Sequence, residues 1–221
     1  MLELVGLIVF SYLIGSISPA YLAGRLAGRD LTREGSGNPG GANVFVSVDR
    51  RLVVPIGILE VLKGLGPVAL ARLLGQDIAG QLVVGVAALV GHNWSIFLRF
   101  KGGRGTGVIL GVLILPAPAQ LVVFATCALA GFLLRLTPLG VLVGLALLPL
   151  SALFLDQGTE VALPCTAILA VVLVKRLLAN GPPPRWVTLR NLVVYRALFD
   201  RDIASREQWI RPLAGDKPAD S

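Results

Sequence analysis

The sequence predicts an all-α integral membrane protein of about seven transmembrane helices, N-terminus outside and C-terminus in the cytoplasm. Three observations predict it. The chain of 221 residues is 55% hydrophobic, with a mean hydropathy of +0.78. Only 15% of it is charged, where soluble domains average about 25%. Its apolar runs are separated by loops that alternate between basic and non-basic.

The first expected span is 4–24. Gly15, Ser16, Ser18 and Pro19 interrupt it, and small polar residues suit close helix contacts better than a lipid face. A signal peptide would need a basic n-region, which is missing before Leu4, so this run reads as a retained span. The second span, 52–74, carries Glu60 and Lys63. At i, i+3 the two can pair on one helix face. Charges at membrane depth cost at least about 2.5–3.5 kcal/mol each, so this pair should face protein or water. The third span, 78–98, delivers the chain to Arg99, Lys101 and Arg104. Residues 105–115 form an apolar run too short to cross about 30 Å of hydrocarbon alone. Spans at 119–134, 138–155 and 161–174 complete the set.

Lys and Arg fill the loops at 25–51, 99–104 and 135–137 and the chain after 175. The loops at 75–77, 116–118 and 156–160 contain neither. The positive-inside rule then fixes the orientation. It also puts two glycine-rich stretches, Gly35–Asn43 and Lys101–Gly105, on the same cytoplasmic face. Residues 1–178 read as the transmembrane domain and 179–221 as a cytoplasmic tail. The tail opens with the helix-stopping Pro182-Pro-Pro184. Its stretch at 186–199 mixes apolar residues with Arg190 and Arg196. It reads either as an amphipathic helix on the anionic inner leaflet or as a short helix docked against the loops.

Several chemistries are excluded. His92 is the sole histidine, so a two-His metal site is impossible, and no Cys/His cluster has ligand spacing. Cys127 and Cys165 lie inside apolar runs and read as buried thiols. No metal or cofactor is expected. The net charge of +7 belongs to membrane loops rather than to nucleic-acid binding.

The glycine stretches are the candidate site. In GSGNPGGAN, Gly35, Gly37, Gly40 and Gly41 let backbone N–H groups converge into an anion nest, and Ser36, Asn38 and Asn43 add polar side chains. In KGGRG, Lys101 and Arg104 flank a pliant backbone, Gly102, Gly103 and Gly105, that leads into a helix N-terminus. Arg104 can grip phosphate oxygens with two N–H bonds; Lys101 acts as a point charge. No Walker motif is present.

GSGNPGGAN, Glu60-Val-Leu-Lys63-Gly64 and GHNWSIFLRFKGGRG at 91–105 together resemble the bacterial acylphosphate:glycerol-3-phosphate acyltransferases of the PlsY type. Order, spacing and the seven-span outline fit, most closely over the first half of the chain. The resemblance implies transfer of a fatty acyl group from acyl phosphate to the 1-hydroxyl of glycerol 3-phosphate, giving lysophosphatidic acid at a membrane without a metal. It makes Ser36 and Arg104 the expected catalytic residues. Gly35, Gly37, Asn38, Gly40, Asn43, Lys63, His92, Lys101, Gly102, Gly103 and Gly105 become the expected substrate-binding set.

The chain departs from the pattern. Ala42 stands where the family has threonine, Val46 where it has arginine, and Arg104 where it has lysine. Pro138 replaces a serine, leaving Thr137 as the nearby hydroxyl. The third motif, a His and an Asn before an Arg-Leu-Leu, is absent: AVVLVK precedes Arg176-Leu-Leu178. Two rivals to the enzyme therefore stand. One is a degenerate relative that binds phospholipid precursors or a partner enzyme. The other is an organic-phosphate transporter, for which an inverted repeat would be expected.

Overall fold

A computed structural model describes residues 1–34, 37–181, 183 and 186–204. Among them the secondary structure is helical throughout, apart from one isolated bridge between Ser95 and Lys101. The first run is split. Helix α1 (Leu2–Ser16) ends at an extended Ile17, and α2 (Pro19–Leu26) starts afresh. Ser18 caps α2 by accepting from the Tyr21 amide, and Pro19 occupies the first helical position, where a missing N–H costs nothing. The short α3 (Gly41–Ser47) follows the first glycine stretch.

Helix α4 (Val53–Leu73) and α5 (Ile78–Asn93) are joined by a turn at Leu74–Asp77, and the Asp77 carboxylate caps α5 through the Gly80 amide at 2.7 Å. The expected span at 78–98 is therefore shorter than its hydropathy implied. It stops at Asn93, and Arg99 and Phe100 then adopt left-handed backbone (φ 51° and 61°) to turn the chain back. Helix α6 (Thr106–Leu113) has only eight residues, and α7 (Pro118–Leu133) and α8 (Thr137–Phe154) follow. Helix α9 (Gly158–Leu178) outruns the expected 161–174 at both ends. Glu160 in its first turn and Lys175 and Arg176 in its last favour that extension through the helix dipole. Helix α10 (Leu189–Phe199) closes the described chain.

Four stretches are long and apolar enough to cross a membrane: Leu2–Leu26, Arg50–Leu73, Thr137–Phe154 and Gly158–Leu178. Ile78–Asn93 and Pro118–Leu133 are shorter apolar helices. Helix α1 packs on α5, α4 on α5 and α6, α7 on α8, and α9 on both α5 and α8. The largest buried cluster, around Leu89, Ile109, Leu113, Phe124, Leu145 and Ile168, lies where α5 to α9 meet. Large apolar side chains such as Phe10, Val54, Phe132 and Leu163 point outward, as they do on a surface solvated by lipid. Helix α6 lies against the backbone of α4. A Cβ at Gly64 would overlap the Val108 carbonyl oxygen, and one at Gly111 would overlap that of Val61. This close approach fixes the start of α6, and with it the second glycine stretch.

Candidate active site

The turn before the first glycine stretch is built locally. Asp30 accepts from the Thr32 hydroxyl at 2.7 Å and the Thr32 amide at 3.0 Å. Those bonds, chiefly the hydroxyl's, hold the Asp30 carboxyl below its ordinary value of 3.8. Asn43 reaches back from α3 and donates to the carbonyls of Leu31 (3.0 Å) and Glu34 (2.9 Å), while its Oδ1 accepts from Ser47. It is buried, so its donors tie the stretch down from behind. Gly37 takes the left-handed backbone (φ 66°) that glycine tolerates. The expected convergence of amides into a nest is not what the described part adopts: the Gly37 N–H donates to Glu34 and the Gly40 N–H to Asn38. Gly35 and Ser36 lie outside the described residues.

The second stretch folds onto the end of α5. The Gly103 N–H donates to the His92 carbonyl at 3.1 Å, and the Ser95 hydroxyl to the Ser16 carbonyl at 2.6 Å. A side chain at Gly102 would overlap the His92 carbonyl oxygen, and one at Gly103 the His92 ring. Only glycine lets this backbone lie so close. Gly105, in left-handed backbone (φ 75°), caps α6. Lys101 is exposed.

Arg104 is partly engaged by the protein. Its Nε donates to Asp200 Oδ2 at 3.0 Å, with Oδ1 2.7 Å away, and its Nη1 donates to the Lys175 carbonyl at 3.0 Å. Its Nη2 has no hydrogen-bond partner among the described residues. Behind the stretch sits a buried charge cluster. Glu60 Oε2 lies 3.0 Å from Lys63 Nζ and 2.9 Å from His92 Nδ1. Lys63 also donates to the Ile17 carbonyl at 2.7 Å, in the gap between α1 and α2. Lys63 and His92 are thus both buried beneath the second stretch.

Asn180 links the two stretches. It lies just past α9, and its side chain hydrogen-bonds Gly37 on one side and Gly102 on the other. Asn38 Oδ1 and both polar atoms of the Asn93 side chain are buried without partners among the described residues, which leaves acceptors and a donor around the loops for a polar ligand. Sequence reasoning missed Asn180, Asp200 and the inward role of Lys175. No role for Asn180 stood out in the sequence, and Lys175 counted only among the cations that follow the last span. A lone Asn after a helix was the only signal.

A family model described as glycerol-3-phosphate acyltransferase matches residues 5–181. The chain belongs to that family. A glycerol-3-phosphate acyltransferase 4 from Dehalococcoides mccartyi strain CBDB1 is 36% identical over 208 residues, covering 90% of this chain and 89% of the relative. Two crystal structures of PlsY (YgiH), an integral membrane glycerol 3-phosphate acyltransferase, superpose on the fold. The glycerol 3-phosphate form gives a TM-score of 0.73 at 28% identity, and the lysophosphatidic acid form 0.71 at 26%. Each covers 79% of this chain and 88% of its own. Neither the transporter nor the non-catalytic reading is favoured by these matches.

Proposed function

We propose that this chain is a membrane acyltransferase that moves a fatty acyl group from acyl phosphate to the 1-hydroxyl of glycerol 3-phosphate. The observation that carries the reading is the meeting of the two glycine stretches at Asn180, with Arg104 beside them. Family membership supports the acceptor. The acyl donor is the one the resemblance to the PlsY-type enzymes implies. Acyl phosphate is already activated, so transfer needs little beyond positioning, a base and charge stabilisation.

In the proposed reaction the 1-hydroxyl oxygen attacks the acyl carbonyl carbon. A new C–O ester bond forms, the C–O bond to phosphate breaks, and phosphate leaves with the electron pair. The hydroxyl proton goes to a phosphate oxygen. The unpartnered Nη2 of Arg104 and the N-terminus of α6 offer N–H groups to substrate phosphate. The resemblance to the family makes Ser36 the catalytic hydroxyl.

In the membrane the reading keeps seven crossing segments, N-terminus out, with the loops at the cytoplasmic face of a bacterial plasma membrane. The alternation of basic loops supports this. Residues 1–178 form the transmembrane acyltransferase-like domain, to which Asn180 and Asp200 of the following segment add contacts. Helix α10 presents exposed Leu189, Val193 and Leu198 beside Arg190, a surface suited to the lipid interface.

The test incubates detergent-purified protein with palmitoyl phosphate and labelled glycerol 3-phosphate. Lysophosphatidic acid should form, and Ser36→Ala and Arg104→Ala should each abolish it. Full activity in both variants would remove the loops from the mechanism, and no product from the wild-type chain would overturn the reading.

A further inference from the structure

The end of α9 supplies a polar pair, Lys175 and Asn180, to which the reaction above assigns no step. Lys175 is fully buried although it lies in the last turn of α9, and its ammonium sits 5.5 Å from the centroid of the Trp94 ring. It donates to Asn180 Oδ1 at 2.7 Å. A lysine can only donate, so this contact fixes which end of the amide is oxygen. Asn180 Nδ2 then donates to the Gly102 carbonyl at 2.9 Å and to the Gly37 carbonyl at 3.3 Å, and the Gly102 amide donates to Oδ1 at 3.5 Å. One side chain thereby binds both glycine stretches and the helix that carries it.

The backbone shows that this position is imposed. Ala179, the residue before Asn180, holds φ 50° and ψ −160°. That region is close to glycine-only, and residues are kept there by surroundings that over-determine them. The same turn brings the Lys175 carbonyl to Arg104 Nη1.

We propose that Asn180, held by Lys175, is a positioning residue that sets the spacing between the two glycine stretches, so that α9 takes part in building the phosphate site. The proposal rests on the acyltransferase reading for its substrate. It predicts a selective effect, because Asn180 touches the carbonyls of Gly37 and Gly102 and leaves the loops' remaining donors to the ligand.

The experiment compares Asn180→Asp, Asn180→Ala and Lys175→Met with the wild-type chain. Asn180→Asp keeps the side-chain volume and the lysine contact but loses the N–H bonds to both carbonyls. It should raise the KM for glycerol 3-phosphate about tenfold or more while kcat falls by less than about threefold. Asn180→Ala should do the same, and Lys175→Met should give a smaller rise. A KM unchanged in both Asn180 variants overturns the proposal. So does a loss of thermal stability with KM unchanged, since that marks a merely structural role. If the wild-type chain gives no product, the acyltransferase reading fails separately. The half-saturating glycerol 3-phosphate concentration for thermal stabilisation then replaces KM in the same comparison. Absence of that stabilisation in the wild-type chain overturns both.

Discussion

A single methyl group at Gly102 should disable the site, and one at Gly41 should not. In Gly102→Ala the new Cβ would overlap the His92 carbonyl oxygen and lie 2.6 Å from the oxygen and 2.8 Å from the carbon of the Asn93 carbonyl. All three are backbone atoms at the end of α5, so no side chain can swing aside. Ordinary contact begins near 3.4 Å, and the loop must retreat by about 1 Å. Overpacking of this kind costs about 1–3 kcal/mol, and a displacement of about 1 Å at a catalytic site lowers turnover by about a hundredfold. At Gly41 an added Cβ meets nothing within 4 Å, and the residue opens α3. Gly41→Ala should leave kcat/KM near wild type and gain up to about 1 kcal/mol from helix propensity. The assay is steady-state acyl transfer in detergent, with the thermal midpoint of each variant measured alongside. A Gly102→Ala enzyme within about twofold of Gly41→Ala would refute the claim that the close packing of Gly102 on α5 sets the site.

Glu60→Gln should lower the thermal midpoint sharply, since it leaves the buried Lys63 cation without its carboxylate. Breaking such a pair costs about 3–5 kcal/mol, and Glu60→Gln with Lys63→Met should recover most of it. Equal stability of the single and double variants would contradict this. Ala179→Gly should raise the midpoint by relieving about 1–3 kcal/mol of backbone strain, offset by the entropy of an added glycine; a lower midpoint would count against it. The turn at Asp30 should be acid-sensitive. Its folded carboxyl titrates below 3.8, so its contribution is fully present above that value and fades as pH falls through the folded one. Melting curves of wild type and Asp30→Asn should therefore converge as pH falls below 3.8, and a gap that ignores pH would refute the assignment.

Hydropathy made the helices legible because burial in lipid selects composition along a whole run. It was weakest where backbone geometry takes over. The run at 78–98 stays apolar through Phe97 and Leu98, yet the helix ends at Asn93, where the chain folds back on the second glycine stretch. No periodicity announces two consecutive left-handed residues such as Arg99 and Phe100. The glycine stretches themselves were readable, since Gly, Ser, Asn and cations amid apolar runs have few other uses. Their meeting was not. Asn180 lies 78 residues from Gly102 and 143 from Gly37, and only the packing of α9 on α5 brings it there.

The cations near the helix ends show why counting charges loop by loop gives only part of their role. A helix leaves its last four carbonyls unpaired. In α9 one of these, that of Leu177, is taken by Arg196 at 2.6 Å, while Arg104 adds a second bond to the Lys175 carbonyl, which already accepts the Ala179 N–H. Arg176 returns the favour at the end of α10, donating to the Ala197 carbonyl at 2.8 Å and also to Pro138 at the start of α8. Lys63 does the same at the broken end of α1. At the C-terminal ends of α9 and α10 the helix dipole also favours these cations. Basic residues near the helix ends thus also bind helix-end carbonyls. Arg104, the residue expected to meet substrate phosphate, is oriented by the same device. Its grip on α9 leaves Nη2 without a protein partner among the described residues, so the C-terminal part of the chain shapes the site while contributing little of the recognisable motif.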